Sequence, residues 1–247
     1  MPWRNTRAPY RILVSEVMLQ QTSVERVVAK YTEFIRAFPG FRALAEASVA
    51  KVLSAWKGLG YNRRALALRE SARIITETYH GKIPRTVESL VELPGIGRAT
   101  ASAVLVYSFN TPLPFIETNV RRVFIHVFFP RKRQVTDAML MPLVESSLDR
   151  ENPREWYYAL MDYGAMLGKA GPNANLRSAR YRTQAAFEGS VRQLRGKILS
   201  AILERGPVTQ AQIAREPGGA DERLGRALTQ LVEEGFLRRQ GRRYSFR

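Results

Sequence analysis

The 247-residue chain contains no cysteine, which removes disulfides, thiolate zinc sites and cysteine-ligated iron–sulfur clusters from consideration. Its two histidines, His80 and His126, are too few for most other transition-metal sites, so neither a metal nor a cofactor is expected. No apolar run approaches the roughly 20 residues a membrane-spanning helix needs, and no signal-peptide pattern opens the chain. Membrane is therefore not an expected partner. Internal repeats and low-complexity tracts are also missing. Acidic residues are scarce: 22 Asp and Glu face 39 Lys and Arg, a net charge of +17. A field of that sign draws in polyanions, and nucleic acid is the default partner. The hydrophobic share of 45% is enough to fill the core of one large or two modest domains.

Segments free of Gly and Pro follow one another between short breaks: Tyr10 to Phe38, Tyr61 to His80, Arg98 to Thr111, Phe115 to Phe129 and Arg154 to Tyr163. Most carry apolar residues at helical spacing, so the first part is mainly α. Thr22-Ser23-Val24-Glu25 has capping-box spacing and predicts a second helix after a turn near Gln21. From about Gly168 the chain turns polar and Asn/Arg-rich, the mark of a linker or a loosely packed segment. The expected organisation is a helical core over 1–167, a polar linker over 168–190 and a separate unit over 191–247.

That last unit predicts helices near Val191 to Leu203, Gln210 to Arg215 and Glu222 to Glu234. A hairpin follows, with its turn at Gln240-Gly241. Three helices and a β wing resemble a winged helix-turn-helix. Its 12 basic residues outnumber 6 acidic ones, and arginines beside the wing turn, Arg239 and Arg242 among them, could straddle a phosphate backbone. Base-specific readout does not follow, because the pattern identifies no base-edge contact.

The densest signal is Leu93-Pro94-Gly95-Ile96-Gly97-Arg98. A tight glycine hairpin between two helices turns successive backbone N–H groups outward into a nest suited to a DNA phosphate. A carboxylate, Glu117, starts the next helix-like run. The Gly95-Ile96-Gly97 pair fails as a dinucleotide fingerprint, because Thr100 stands at the third glycine and the preceding Val87 to Leu93 reads as helix. A second carboxylate, Glu16, lies within Ile12-Leu13-Val14-Ser15-Glu16-Val17-Met18-Leu19, where apolar neighbours would desolvate it and raise its pKa. Such an acid, still protonated near neutral pH, can donate to a base nitrogen. The bland readings are a Glu on a wet helix edge at 16 and a carboxylate favoured by the helix dipole at 117.

The run from Pro2 to Thr22, with Gly58-Leu59-Gly60-Tyr61, the 93–97 hairpin, Asn119-Val120-Arg121-Arg122-Val123 and Met161-Asp162-Tyr163-Gly164-Ala165, resembles the MutY family of adenine-specific mismatch DNA glycosylases. These belong to the wider helix-hairpin-helix superfamily that includes endonuclease III. The resemblance covers roughly residues 2–167. It implies a mainly α helix-hairpin-helix glycosylase fold that bends duplex DNA, flips one nucleotide and cleaves its N-glycosidic bond. By resemblance, Glu16 is the general acid and Glu117 the carboxylate that stabilises the developing sugar cation, with Asp162 in reserve; a buried structural role on its helix is the simpler account of that residue. Trp3, Arg4, Leu19 and Ala99 match base-pocket positions. Gln21 and Tyr61 match the wedge that fills the gap left by the flipped base. Pro94, Gly95, Ile96 and Gly97 would hold the backbone, and Asn119 and Arg122 would orient Glu117 and the sugar-phosphate.

The departures matter as much. The family overwhelmingly has Asp where Glu117 stands. Where endonuclease III-like enzymes carry a Schiff-base Lys this chain has Ala99, and Arg98 cannot substitute because guanidinium stays protonated. The family's four cluster cysteines are absent, so packing or the polar stretch itself must hold that region. The sequence begins at the Trp3 motif, so the helix that usually precedes it is not included, by truncation or by nature, and the family's domain for reading 8-oxoguanine is expected to be replaced by the winged helix. The resulting expectation is a monomeric, monofunctional glycosylase of the cytoplasm, associated with the nucleoid. It would act on duplex DNA at adenine opposite 8-oxoguanine or guanine. The alternatives are uracil or thymine in a G mismatch, another modified base, or a catalytically silent DNA-binding regulator on the same scaffold.

Overall fold

The computed structural model describes residues 1–184, 186–215 and 222–247. Ala185 of the expected linker and residues 216–221 of the expected C-terminal unit lie outside them. A 3-10 turn, Pro2–Asn5, precedes α1 (Pro9–Leu19), α2 (Val24–Ala37), α3 (Phe41–Glu46), α4 (Val49–Trp56), α5 (Arg63–Glu77), α6 (Val87–Val91), α7 (Arg98–Phe109), α8 (Thr118–Phe128), α9 (Asp137–Ser147) and α10 (Pro153–Ala170). A second 3-10 turn, Ala174–Arg177, leads on to α11 (Val191–Arg205), β1 (Val208–Thr209), α12 (Gln210–Ala214), α13 (Leu224–Glu233), β2 (Leu237–Gln240) and β3 (Arg243–Phe246). The architecture is mainly helical. No helix of the described residues is long and apolar enough to cross a membrane.

Two compact units divide the chain, and neither is continuous in sequence. The first joins residues 3–17 to 83–184, and the second joins 18–82 to 185–247. In the first, α7 is the central rod: Ala101 through Ser108 are all buried. Tyr107 near its end packs against Tyr158 and Met161 of α10. Asn110 ends α7 in the left-handed conformation, φ 56, with its N–H on Leu105 and Val106. Ridge packing of α10 on α8 depends on two glycines one turn apart. A Cβ on Gly164 would lie 2.6 Å from the Asn119 carbonyl oxygen, and one on Gly168 would lie 2.7 Å from Arg122 Nη1. The polar stretch after α10 is not loose at its start. Asn175 is buried and donates to the Thr118 carbonyl at 3.0 Å, and Ser178 bridges Val135 in parallel. Amide hydrogen bonds thus secure this segment to the start of α8.

In the second unit, α2, α4 and α5 enclose Val27, Phe34, Leu53, Trp56, Leu68 and Ile75, with Phe34 and Trp56 edge to face at 5.7 Å. Residues 191–247 add α11 and α13 around Leu194, Ile198, Leu228, Leu231 and Phe236, all buried. A three-stranded antiparallel sheet of order β1-β3-β2 pairs Val208 with Tyr244 and Gln240 with Arg243. The short β1 had no signal in the hairpin pattern. Thr209 opens α12 with a full capping box to Gln212.

The expected capping box at Thr22 does not form. Ser23 is the N-cap of α2 without a side-chain bond, because the Thr22 hydroxyl accepts from Arg64 Nη2 at 2.9 Å instead.

Candidate active site

The first unit brings Glu16 and Glu117 into one electrostatic neighbourhood. Glu16 lies on α1 between Ser15 and Val17, both buried. Desolvation, and then the charge of Glu117, push its carboxyl up to about 8. Glu117 is the N-cap of α8: its Oε1 accepts from the backbone N–H of Asn119 at 2.6 Å and of Val120 at 2.7 Å. Burial raises its pKa, while these two N–H groups and the cations Arg121 and Arg122 pull the other way. The helix-dipole reading of Glu117 is therefore fulfilled, and it leaves Oε2 outside the cap. Glu117 feels four opposing influences that favour its anion, whereas Glu16 has only burial and a like charge. Both carboxyls are raised by burial, but only Glu117 has groups around it that favour its anion, so the two environments are not equivalent.

Tyr107, wholly buried on α7, is touched by both charges. Burial first, then Glu16 and Glu117, hold its phenol well above the ordinary range, so it remains a neutral O–H, directed to Met161 Sδ at 3.5 Å. Tyr158 stacks on it with centroids 4.8 Å apart. Arg4 in turn covers Tyr158, 4.5 Å from its ring centre, and grips Asp162 through two bonds of 2.7 Å. Asp162 is thus an exposed ion-pair partner, and Arg4 holds its carboxyl below the usual carboxylate range. It is not buried, contrary to the structural role expected of it, and its charge is matched by Arg4. Trp3 is buried in the 3-10 turn beside Arg4. That turn is fastened by Arg154, itself buried, which donates to the carbonyls of Arg4, Thr6 and Tyr107 at 2.7–2.8 Å.

Arg122 bonds Asn119 Oδ1 at 2.8 Å and the Gly164 carbonyl at 2.7 Å. Asn119 and Arg122 therefore tie α8 to α10, and Arg122 reaches Glu117 through its field.

The glycine hairpin joins α6 to α7. Gly95 takes φ +76 and Ile96 N–H closes the turn on the Leu93 carbonyl at 3.2 Å, with Ile96 packed inward. Gly97 caps α7 without any side-chain bond. Arg98 and Ala99 are exposed there, a geometry suited to an anion.

In the second unit Gln21 and Tyr61 both hold left-handed backbone, φ 54 and 46. Non-glycine residues in that region are strained and cluster at functional sites. One side chain holds both turns. Arg64 donates to the carbonyls of Met18, Gln20 and Gly60 and to the Thr22 hydroxyl. Burial lowers its pKa to about 10, so it stays charged. Leu19 is half-buried just before the first of these turns, and Arg239 and Arg242 are exposed at the wing. Arg64, Tyr107 and Arg154 were not singled out from sequence, since none sits in a motif whose chemistry announces it.

The chain matches the model of the HhH-GPD superfamily of base excision DNA repair proteins over residues 14–145. It is 35% identical to the adenine DNA glycosylase of Mycobacterium tuberculosis, over 97% of this chain and 86% of that one. Among solved structures it is similar to a thermostable thymine-DNA glycosylase, with a TM-score of 0.62 and 28% identity over 70% of this chain and 82% of the other. It also matches endonuclease III in a trapped covalent complex with DNA, with a TM-score of 0.57 and 18% identity over 65% of this chain and 76% of that one. The last of these speaks for the fold alone. With the hairpin and the pair of Glu16 and Glu117 already in place, these likenesses establish that the chain belongs to the HhH-GPD superfamily of base excision DNA repair proteins and, within it, to the MutY-like DNA glycosylases.

Proposed function

We propose that the chain hydrolyses the N-glycosidic bond of adenine extruded from duplex DNA, opposite 8-oxoguanine or guanine, and does so without a covalent amine intermediate. The observation that carries this reading is the pair of Glu16 and Glu117. Glu16 retains its proton near neutral pH beside a Glu117 whose anion is supported by two backbone N–H groups. Glu16 would donate its proton to a ring nitrogen of the base, so that the C1′–N bond breaks with the electron pair leaving on a neutral purine. Glu117 Oε2 would face the sugar cation and accept a proton from the attacking water. Its extra methylene extends the carboxylate from a capped Oε1, which keeps the arm from swinging freely.

Ala99 offers no nucleophile at the first turn of α7, and so supports strand cleavage only by later alkali. Trp3, Arg4 and Ala99 would line the base pocket. Gln21 and Tyr61 would fill the vacated stack, and the hairpin of Pro94, Gly95, Ile96 and Gly97 would hold a phosphate. Arg239 and Arg242 would add backbone contacts from a winged helix-turn-helix over 191–247.

The test uses labelled duplexes carrying A:8-oxoG, A:G, T:G and U:G, each followed by alkali. Alkali-dependent breaks at adenine that vanish in Glu16→Gln support the proposal. Breaks without alkali, or a product trapped by borohydride, refute the monofunctional reading. Cutting at T:G instead transfers the substrate to the class named for the thermostable thymine-DNA glycosylase. Binding with no break under any condition leaves the silent regulator.

A further inference from the structure

Tyr61 is held by the C-terminal region as well as by its own turn. Arg192, the second residue of α11, donates from Nη1 to the Tyr61 hydroxyl at 2.5 Å and lies 5.3 Å from its ring centre. Arg64 approaches the same ring at 5.5 Å. The ring is therefore fixed at its oxygen and served by two guanidinium groups. The rest of that C-terminal region is anchored around the same turn. Glu234, just past α13, accepts from Arg195 of α11 at 2.5 and 3.0 Å and pairs with Arg63 at 2.8 Å, two residues from Tyr61. Lys57 pairs with Glu204 at 2.9 Å. The Glu234 cluster is the stronger of these, because its Arg195 pair keeps only 20% of either side chain accessible, against 57% and 60% in the lysine pair.

A tyrosine that must enter a base stack gains from being ordered beforehand, since rotamer freedom lost on binding is then lost already. A phosphate-binding arginine would have no need to engage a phenol, whereas one that orients the phenol must do so. We infer that Arg192 is a positioning residue through which the C-terminal region sets the Tyr61 side chain for insertion into the duplex. This inference rests on the reading of Tyr61 as the wedge.

The experiment uses the full chain and a duplex with 2-aminopurine in place of the target adenine, opposite 8-oxoguanine, whose fluorescence rises on unstacking. Flipping amplitude is measured for Tyr61→Ala, Tyr61→Phe, Arg192→Ala and the Tyr61→Phe/Arg192→Ala double variant, alongside affinity as a function of salt. Arg192→Ala is expected to lower the flipping equilibrium roughly tenfold, the size of coupling usual for side chains in contact. Tyr61→Phe should give part of that loss, and the double variant should be no worse than Arg192→Ala. Tyr61→Phe removes only the accepting oxygen, so it tests the same link should Arg192→Ala prove unstable. Additive losses overturn the inference. So does an Arg192→Ala effect expressed only as a salt slope smaller by about one, the signature of a lost phosphate contact. Normal flipping in Tyr61→Ala sinks the wedge reading itself, whereas impaired flipping there with parental behaviour in both Tyr61→Phe and Arg192→Ala sinks the positioning role alone.

Discussion

Raising the pH through 8 should switch off excision and weaken the fold through the same carboxyl group. Moving Glu16 from 4.5 to about 8 expresses roughly 5 kcal/mol of preference for its protonated form. At pH 7 about ten chains in eleven carry the proton, and above pH 8 single-turnover excision should fall nearly tenfold per unit. The linked stability has a definite sign. Below pH 4.5 folded and unfolded chains both hold the proton, and the group contributes nothing. Between 4.5 and about 8 the unfolded chain releases it while the folded chain keeps it, so stability declines by about 1.4 kcal/mol per unit. Above that window the full cost is present. Glu16→Gln should therefore be inactive at every pH yet melt higher than the parent at pH 9, by roughly 10 °C for a chain of this size. The gap should close toward pH 4.5. Rate profiles and calorimetric melts of both proteins across pH 4.5–9 provide the measurement. An alkaline limb that survives in Glu16→Gln, or a melting gap independent of pH, would refute the assignment of the raised pKa to this residue.

Arg154→Leu leaves the carbonyls of Arg4, Thr6 and Tyr107 without their donor and should cost roughly 3 kcal/mol, seen as a lower urea midpoint with an unchanged slope. Gly164→Ala drives a methyl into the Asn119 backbone and should cost about 2 kcal/mol. Gly168→Ala brings a methyl within 2.7 Å of Arg122 Nη1, the nitrogen bonded to Asn119 and the Gly164 carbonyl, and should cost less, about 1 kcal/mol, since a guanidinium yields more readily than backbone; parental melting in Gly164→Ala would contradict the close crossing of α8 and α10. Arg64→Met should abolish the rise in 2-aminopurine fluorescence while retaining most non-specific duplex affinity, measured by anisotropy; unchanged flipping would mean the two left-handed turns hold without it.

Much of the site was legible because its chemistry is local. Glu16 stands out as one acid inside an apolar run, Glu117 as a carboxylate opening a helix and the hairpin as two glycines at fixed spacing, while the roles of the two acids came from the family resemblance and not from these segments alone. Legibility ended where one long side chain serves distant backbone. Arg154 reaches the Arg4 carbonyl 150 positions away, and Arg64 reaches Met18 across 46; neither leaves any periodic trace. The same arginine explains the failed capping box, since tertiary contact took the Thr22 hydroxyl that local pattern had assigned to a helix start. Helices were missed for simpler reasons: α3 and α4 are only 6 and 8 residues long, and α9 contains Pro142, which argues against helix by itself. The stretch after α10 has the composition of a linker, yet Asn175 buries its amide against α8, an arrangement that composition cannot signal.

The grip of Arg64 on both turns has a mechanical consequence. Gln21 and Tyr61 cannot advance separately, so they would press on a duplex as a rigid two-pronged plough, and the bending has to be borne by the nucleic acid. Lesions flanked by easily unstacked pyrimidine–purine steps should then be engaged sooner than the same lesions embedded in stiff A-tracts, a bias that arises with no base being read.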